Sequence, residues 1–171
     1  MSFNEIFCQE RAISILQAAF ATNKVAHSYI FVGPEGVGKE KTARQFAKLL
    51  LCKNPVSKKL HIDEQYKLHT FQDTLDSCNR CQSCQLFEAG NHPDFSLLYK
   101  ELVQFTKDGK DKTPIDLPID VIREFLIDKV SIRPTLSTRK VFIIIEAEKL
   151  NPASQNCLLK VLEEPPEYCC I

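Results

Sequence analysis

Lys39 follows three glycines, Gly33, Gly36 and Gly38, in the string GPEGVGKEK. Glycines at that spacing let backbone N–H groups converge on an anion. A helix starting behind them adds its positive N-terminal dipole, and the lysine places a cation beside the outer phosphates. The chemistry this suggests is nucleotide phosphate binding; the competing reading is a glycine-rich turn with no ligand. In a loop that works with Mg²⁺, the next residue is Ser or Thr, whose hydroxyl ligates the metal, but here it is Glu40. A carboxylate can meet a metal, yet near phosphates it repels: two unit charges about 4 Å apart interact by roughly 4 kcal/mol at an effective dielectric of 20. Thr42 is no substitute, because two residues along a helix is a rotation of about 200°.

Hydrolysis also needs an acid at the end of a neighbouring apolar strand to hold Mg²⁺. The strand candidate is Val141 to Ile145, and the sequence continues Glu146-Ala147-Glu148. Ile145 can ligate nothing. Glu146 could orient a water, or it is an ordinary polar residue at a strand end.

Cys78, Cys81 and Cys84 form CNRCQSC, and Cys52 lies upstream at the end of the helix that the phosphate loop opens. Four thiolates close a tetrahedral zinc site with no position left for water, so the role would be structural. Such a site contributes folding energy, on the order of 10 to 16 kcal/mol in small zinc peptides. Buried free cysteines and an iron–sulfur cluster remain open alternatives, the latter weakened by the missing CxxxCP continuation. His92, in NHPDF, could replace one cysteine but reads first as a turn residue before proline.

These groups need elements to position them. Residues 9–22 carry Ile13, Leu16 and Phe20 at helical spacing, ended by Asn23-Lys24; SYIFVG (28–33) reads as a strand stopped by Gly-Pro. A helix over 41–52 has Ala43, Phe46, Ala47 and Leu50 on one face. Residues 53–77 are polar and aperiodic, a surface excursion with no clear helical content. DFSLLY (94–99) is a second strand, 106–118 an exposed loop, and 119–130 a helix with Val121, Ile122, Phe125 and Leu126 inward. The five apolar residues 141–145 predict a central parallel strand covered on both faces. A helix over 154–166 stops at two prolines, and EYCCI enters another strand, so the chain is expected to stop inside a larger fold. Strands alternating with helices predict an α/β domain with a mostly parallel sheet.

Composition agrees. The 171 residues fit one domain, 44% are hydrophobic and 26% charged, and Lys+Arg 22 balance Asp+Glu 22. Zero net charge leaves no whole-molecule footprint for nucleic acid, and the Lys58-Lys59 and Lys107 to Lys112 clusters read as solvated loops. The N-terminus lacks a signal-peptide pattern and no stretch approaches 18 apolar residues, which predicts a cytoplasmic protein without a membrane span. In a reducing compartment, eight cysteines are seldom disulfides.

Taken together, HSYIFVGPEGVGK (27–39), Cys52 with CNRCQSC, HPDF (92–95), IDVIREF (119–125), RKVFIIIEAEKL (139–150) and NCLLKVLEEPP (156–166) carry a family likeness. The chain resembles the N-terminal AAA+ domain of bacterial DNA polymerase III clamp-loader subunits, the gamma/tau and delta-prime group. The resemblance implies a P-loop domain over 1–171, lacking its last strand, lid and collar, with a zinc module inserted at about 52–92. It implies zinc on Cys52, Cys78, Cys81 and Cys84, and a nucleotide site at Gly33, Gly36, Gly38, Lys39 and Glu40. Hydrolysing members carry GKT or GKS and an Asp-Glu pair. Here GKE and Ile145-Glu146, a degenerate Walker B pair, imply a delta-prime-like scaffold without ATPase activity that binds ATP or ADP weakly or not at all. Cys8 stands where the family usually has Gly. Implied partners are other clamp-loader subunits, the sliding clamp and primed DNA, with no membrane. Two alternatives are carried: an ATP-hydrolysing gamma/tau-type subunit, and a zinc-stabilised nucleic-acid binding module with a relic phosphate loop.

Overall fold

The computed structural model describes residues 2–59, 73–107 and 114–171. Two compact units emerge, one of residues 1–26 with 31–92, the other of 27–30 with 93–171.

In the first unit, Glu10–Ala21 forms helix α1, and Lys39–Leu51 forms helix α2. Leu16 is buried at the centre of the expected α1 stripe, with Ile13 and Phe20 half-buried. Asn23 ends the helix in a left-handed conformation, φ 53°, which asparagine tolerates better than most residues. The expected inward face of α2 holds at Phe46, Ala47 and Leu50, while Ala43 is half-buried. Burial then widens at the C-terminal end, where Lys48, Leu49 and Leu51 are also enclosed.

The excursion at 53–77 is in part a hairpin. Strand β1 (Val56–Lys59) pairs antiparallel with β2 (Asp73–Asp76), Val56 opposite Asp76 and Ser57 opposite Leu75. No apolar alternation announces it, because each strand brings one apolar residue and pairing alone satisfies the backbone. Residues 60–72, and 108–113 of the Lys107 to Lys112 cluster, lie outside the described residues. Helix α3 (Gln82–Glu88) completes this unit.

The second unit is an α/β layer. Strands β3 (Phe95–Leu98), β4 (Lys140–Ile144) and β5 (Cys169–Cys170) form a parallel sheet in the order β3-β4-β5. Phe95 lies opposite Val141, and Lys140 opposite Cys169. Parallel neighbours require crossovers, supplied by two helical stretches. The first runs from α4 (Ile119–Ile122) through a π-helical turn (Arg123–Ile127) into α5 (Asp128–Val130). The second, α6 (Pro152–Glu163), starts at Asn151, whose side chain accepts the Ser154 N–H, and ends before Pro165-Pro166. Leu98, Val121, Ile122, Leu126, Phe142 and Leu158 pack as its core. The mixed α/β class with a parallel sheet is as the sequence predicts.

Several expectations need correction: Lys58-Lys59 lie in strand β1 rather than in a loop, and Thr106 and Leu117 of the 106–118 stretch are buried. The segment 28–33 is not an assigned strand: the Tyr29 N–H donates to Ile171 O at 2.9 Å and the Ile171 N–H to His27 O at 2.9 Å. That is one step of parallel pairing against the last residue of the sequence, and Ile30 and Val32 are 89% and 88% exposed. Strand β4 is enclosed only in its first half: Val141 and Phe142 are buried, Ile143, Ile144 and Ile145 half-buried. Among the described residues, no helix is long and apolar enough to cross a membrane.

Candidate metal centre and phosphate loop

Helix α2 ends at Leu51 because Cys52 turns extended, φ −68° and ψ 128°, and this aims its thiol off the helix end. Cys78 follows β2, Cys81 caps the N-terminus of α3, and Cys84 sits in the first turn of that helix. The four Sγ atoms lie within 4.8 Å of one another. Cys52 is 3.6 Å from Cys78 and 4.0 Å from Cys81, and Cys78 is 4.0 Å from Cys84. A tetrahedron with Zn–S bonds of about 2.3 Å has edges of about 3.8 Å, so the donors fit the ion. All four are free thiols.

Backbone N–H groups point at the sulfurs: Cys78 N–H to Cys52 Sγ at 3.3 Å, Cys81 N–H to Cys78 Sγ at 3.3 Å, and Cys84 N–H to Cys81 Sγ at 3.5 Å. Burial pushes the Cys81 thiol up, but the N–H groups of Cys84 and Lys53 and the neighbouring thiols bring it down to about 6. Cys78 is lowered in the same way, against burial, by the N–H groups of Arg80 and Cys81. Burial raises Cys52 and Cys84. Two thiols thus favour the thiolate and two resist it. A divalent cation supplies the charge that would let all four ionise together.

The polypeptide around the cysteines is held by buried polar groups, of which the sequence singled out His92 alone. Asp76 accepts from Gln45 Nε2 at 2.9 Å, from the Ser77 N–H at 2.7 Å and from the Phe3 N–H at 3.3 Å, and also from the Ser2 hydroxyl. Lys48, 1% exposed, donates to Glu88 on α3 and to Asn79, between Cys78 and Cys81. The Lys48 contact holds the Glu88 carboxyl below the usual range. His92, which precedes the turn that opens β3, is buried, and its Nε2 lies 2.8 Å from Ser83 Oγ. The one available signal was the apolar run around Lys48, where a solvated lysine is unexpected.

At the other end of α2, Gly36 (φ 78°) and Gly38 (φ 92°) adopt left-handed conformations that favour glycine. Gly38 caps the helix. Lys39 Nζ donates to Gly33 O and Pro34 O, each at 2.8 Å, so the ammonium lies across the loop's own carbonyls. Glu40 is turned outward onto Arg44 Nε at 2.7 Å. Thr42 is buried and its hydroxyl donates to Gly38 O at 3.0 Å. Gln9 Nε2 reaches Val37 O at 3.4 Å. Cys8 is exposed at φ 59°, a left-handed conformation that favours glycine.

In the second unit, the Ile145 N–H donates to Leu98 O at 2.9 Å, and the chain then breaks away at Glu146, φ 52°. The Glu146 carboxylate pairs with Lys149 at 2.5 Å and Lys100 at 3.4 Å. Hydrogen bonding from Lys149, then Lys100, lowers its pKa. Asp94, 1% exposed, was missed as a functional group because HPDF reads as a strand entrance. Its carboxylate accepts from the N–H groups of Thr135, Leu136 and Ser137 at 2.7, 2.8 and 2.7 Å and from the Thr135 hydroxyl at 3.1 Å.

Comparison with known proteins supplies a family. The family model described as DNA polymerase III, delta subunit, matches residues 8–171. The tau/gamma subunit of DNA polymerase III from Haemophilus influenzae is 33% identical over 98% of this chain and 20% of its own length. The tau subunit from Bacillus subtilis is 33% identical over 98% of this chain and 24% of its own. The delta' subunit from Pseudomonas aeruginosa is 34% identical over 82% of this chain and 34% of its own. The chain thus spans a fifth to a third of the length of these relatives.

Proposed function

The chain belongs to the DNA polymerase III delta subunit family, and on that premise we propose that it is the nucleotide-binding-type domain of a clamp-loader subunit. In this reading residues 1–171 are an AAA+ domain with a zinc module inserted at about 52–92. The domain acts as a delta-prime-like scaffold: it contacts other clamp-loader subunits and helps them place the sliding clamp on primed DNA without hydrolysing ATP itself. Zinc on Cys52, Cys78, Cys81 and Cys84 supplies structural cross-linking. Gly33, Gly36, Gly38 and Lys39 keep the phosphate-loop framework, with ATP or ADP held weakly or not at all.

One observation carries the non-hydrolysing part. Glu40, which replaces the Mg²⁺-binding hydroxyl, spends its carboxylate on Arg44 at 2.7 Å. Ile145 offers no ligand at the second metal position, and Glu146 is engaged by Lys149 and Lys100. The purified chain is expected to show no Mg²⁺-dependent ATP turnover above background. Turnover that disappears in Lys39→Ala would overturn this reading.

The comparisons keep a second reading in play. Identity to tau/gamma and to delta' is equal within a percentage point, and the tau/gamma match extends further along this chain, 98% against 82%. An ATP-hydrolysing gamma/tau-type subunit would bind ATP tightly with Mg²⁺, and Glu40→Ala would abolish that binding. Equal binding in EDTA would count against it.

A further inference from the structure

Each of two metal-ligand candidates has a chain neighbour tied to the other's. Leu51 precedes Cys52 and Ser83 precedes Cys84, and the Ser83 hydroxyl donates to Leu51 O at 2.6 Å. Leu51 ends α2, so its carbonyl belongs to the last turn, where C=O groups lack a partner within the helix. A hydroxyl carries one proton, and a carbonyl only accepts, so that proton belongs to Leu51. His92 Nε2, 2.8 Å from the same oxygen, must therefore be the donor to Ser83. His92 is 4% exposed and Ser83 0% exposed, so solvent does not compete for these bonds.

We propose that His92 and Ser83 are positioning residues for the four-cysteine centre: the relay from His92 through Ser83 to Leu51 O sets the separation of Cys52 and Cys84 and thereby the metal affinity. The His92 donor orients the Ser83 rotor, so its proton faces Leu51 and ties the end of α2 to the first turn of α3. A metal tolerates errors of only about 0.2 Å in ligand distance. Loosening the tie lets two of the four sulfurs drift apart before the ion binds, and the ion must then close the gap. This inference rests on the reading that the four cysteines hold a divalent metal.

The test is competitive titration of Zn²⁺ and Co²⁺ against a chelator on the full 171-residue chain, following the cobalt–thiolate absorption. His92→Phe, which keeps shape and removes the donor, is expected to weaken binding about tenfold, within the usual range for groups that orient metal ligands. His92→Gln, which restores a donor near the Nε2 position, should stay within about threefold of the parent chain. Ser83→Ala should match His92→Phe, and the double variant should be no weaker than the worse single one, because the two act as one unit. Leu16→Ala serves as a destabilising change away from the relay and should leave affinity unmoved. Should His92→Phe fail to fold, Ser83→Ala, a loss of one oxygen, carries the same test. If His92→Phe and Ser83→Ala bind metal as tightly as the parent while melting earlier, with and without metal, the relay is merely structural and the proposal is overturned. If the parent chain itself binds no metal, the four-thiolate reading falls and the relay with it; equal binding by all variants overturns the relay alone.

Discussion

The two ends of helix α2 differ in what surrounds them. At its N-terminus the phosphate loop is open to solvent: Glu40 is exposed and paired with Arg44, and Lys39 lies on its own loop's carbonyls. At its C-terminus Leu49, Leu50 and Leu51 are buried, Lys48 is enclosed, and Cys52 joins three other thiols within 4.8 Å. At the exposed end Lys39 and Glu40 are satisfied within six residues, so exchanging either disturbs nothing distant. Groups at the buried end depend on partners from β2, α3 and residues 2–3, so exchanging one removes a bond from several others. Glu40 fits that difference: its carboxylate is engaged by Arg44, four residues on, without a partner from the buried end.

The largest expected effect tests the buried end. Cys84→Ser should reduce bound zinc from about one per chain to less than about a tenth, read by metal analysis of the purified protein, because three thiolates leave the tetrahedron open. Retention of stoichiometric zinc would break the comparison.

Lys48 comes next. Lys48→Ala removes the Lys48 ammonium from Glu88 and Asn79 and should destabilise the chain by about 3 kcal/mol in urea denaturation, the low end for a broken buried pair because Glu88 is partly solvated. Lys48→Met fills the same space but removes the same donor, so it should recover only the packing part of that loss, about 1 kcal/mol. An equal loss in both would show that the charge, not the packing, holds this end together.

The second unit offers the same contrast between buried Asp94 and exposed Glu146. Burial alone would push the Asp94 carboxyl up, but the N–H groups of Thr135, Ser137 and Leu136 prevail and hold it below the usual carboxylate range. A depressed folded pKa means its stabilisation is fully present above the unfolded value of about 3.9 and is lost as pH falls through the folded value. Asp94→Asn should therefore cost about 2 kcal/mol at neutral pH, and the difference from the parent should shrink below about pH 4. A difference constant from pH 7 to 3 would refute the assignment.

The smallest effects belong to the open end. Lys39→Ala and Glu40→Ala should each change unfolding free energy by less than about 0.5 kcal/mol, the scale of an exposed i,i+4 pair. A larger loss would mean that the loop supports the fold.

Much of the site was legible beforehand because its information is local. The CNRCQSC spacing flags three of the four thiols that the structure brings together, and the glycines ahead of Lys39 flag the turn that opens α2. Periodicity of 3.6 or an unbroken apolar run likewise marks α1, α2 and β4. The β1–β2 hairpin was not legible, since its strands bring one apolar residue each. The segment 28–33 was over-read: its composition is that of a strand, but pairing needs a neighbour as well as propensity.

The sequence by itself determined which residues could ligate a metal, that α1, α2, α6, β3 and β4 form, and that Ile145 can hold no ion, since these follow from side-chain chemistry and short-range spacing. Only the tertiary structure decided that Lys48 is buried against α3, that His92 serves Ser83 rather than the metal, and that Asp94 holds the loop at 135–137. Those partners are separated by 40, 9 and more than 40 positions. No local pattern encodes such a pairing; burial and the polar groups that must be satisfied within it select the partner.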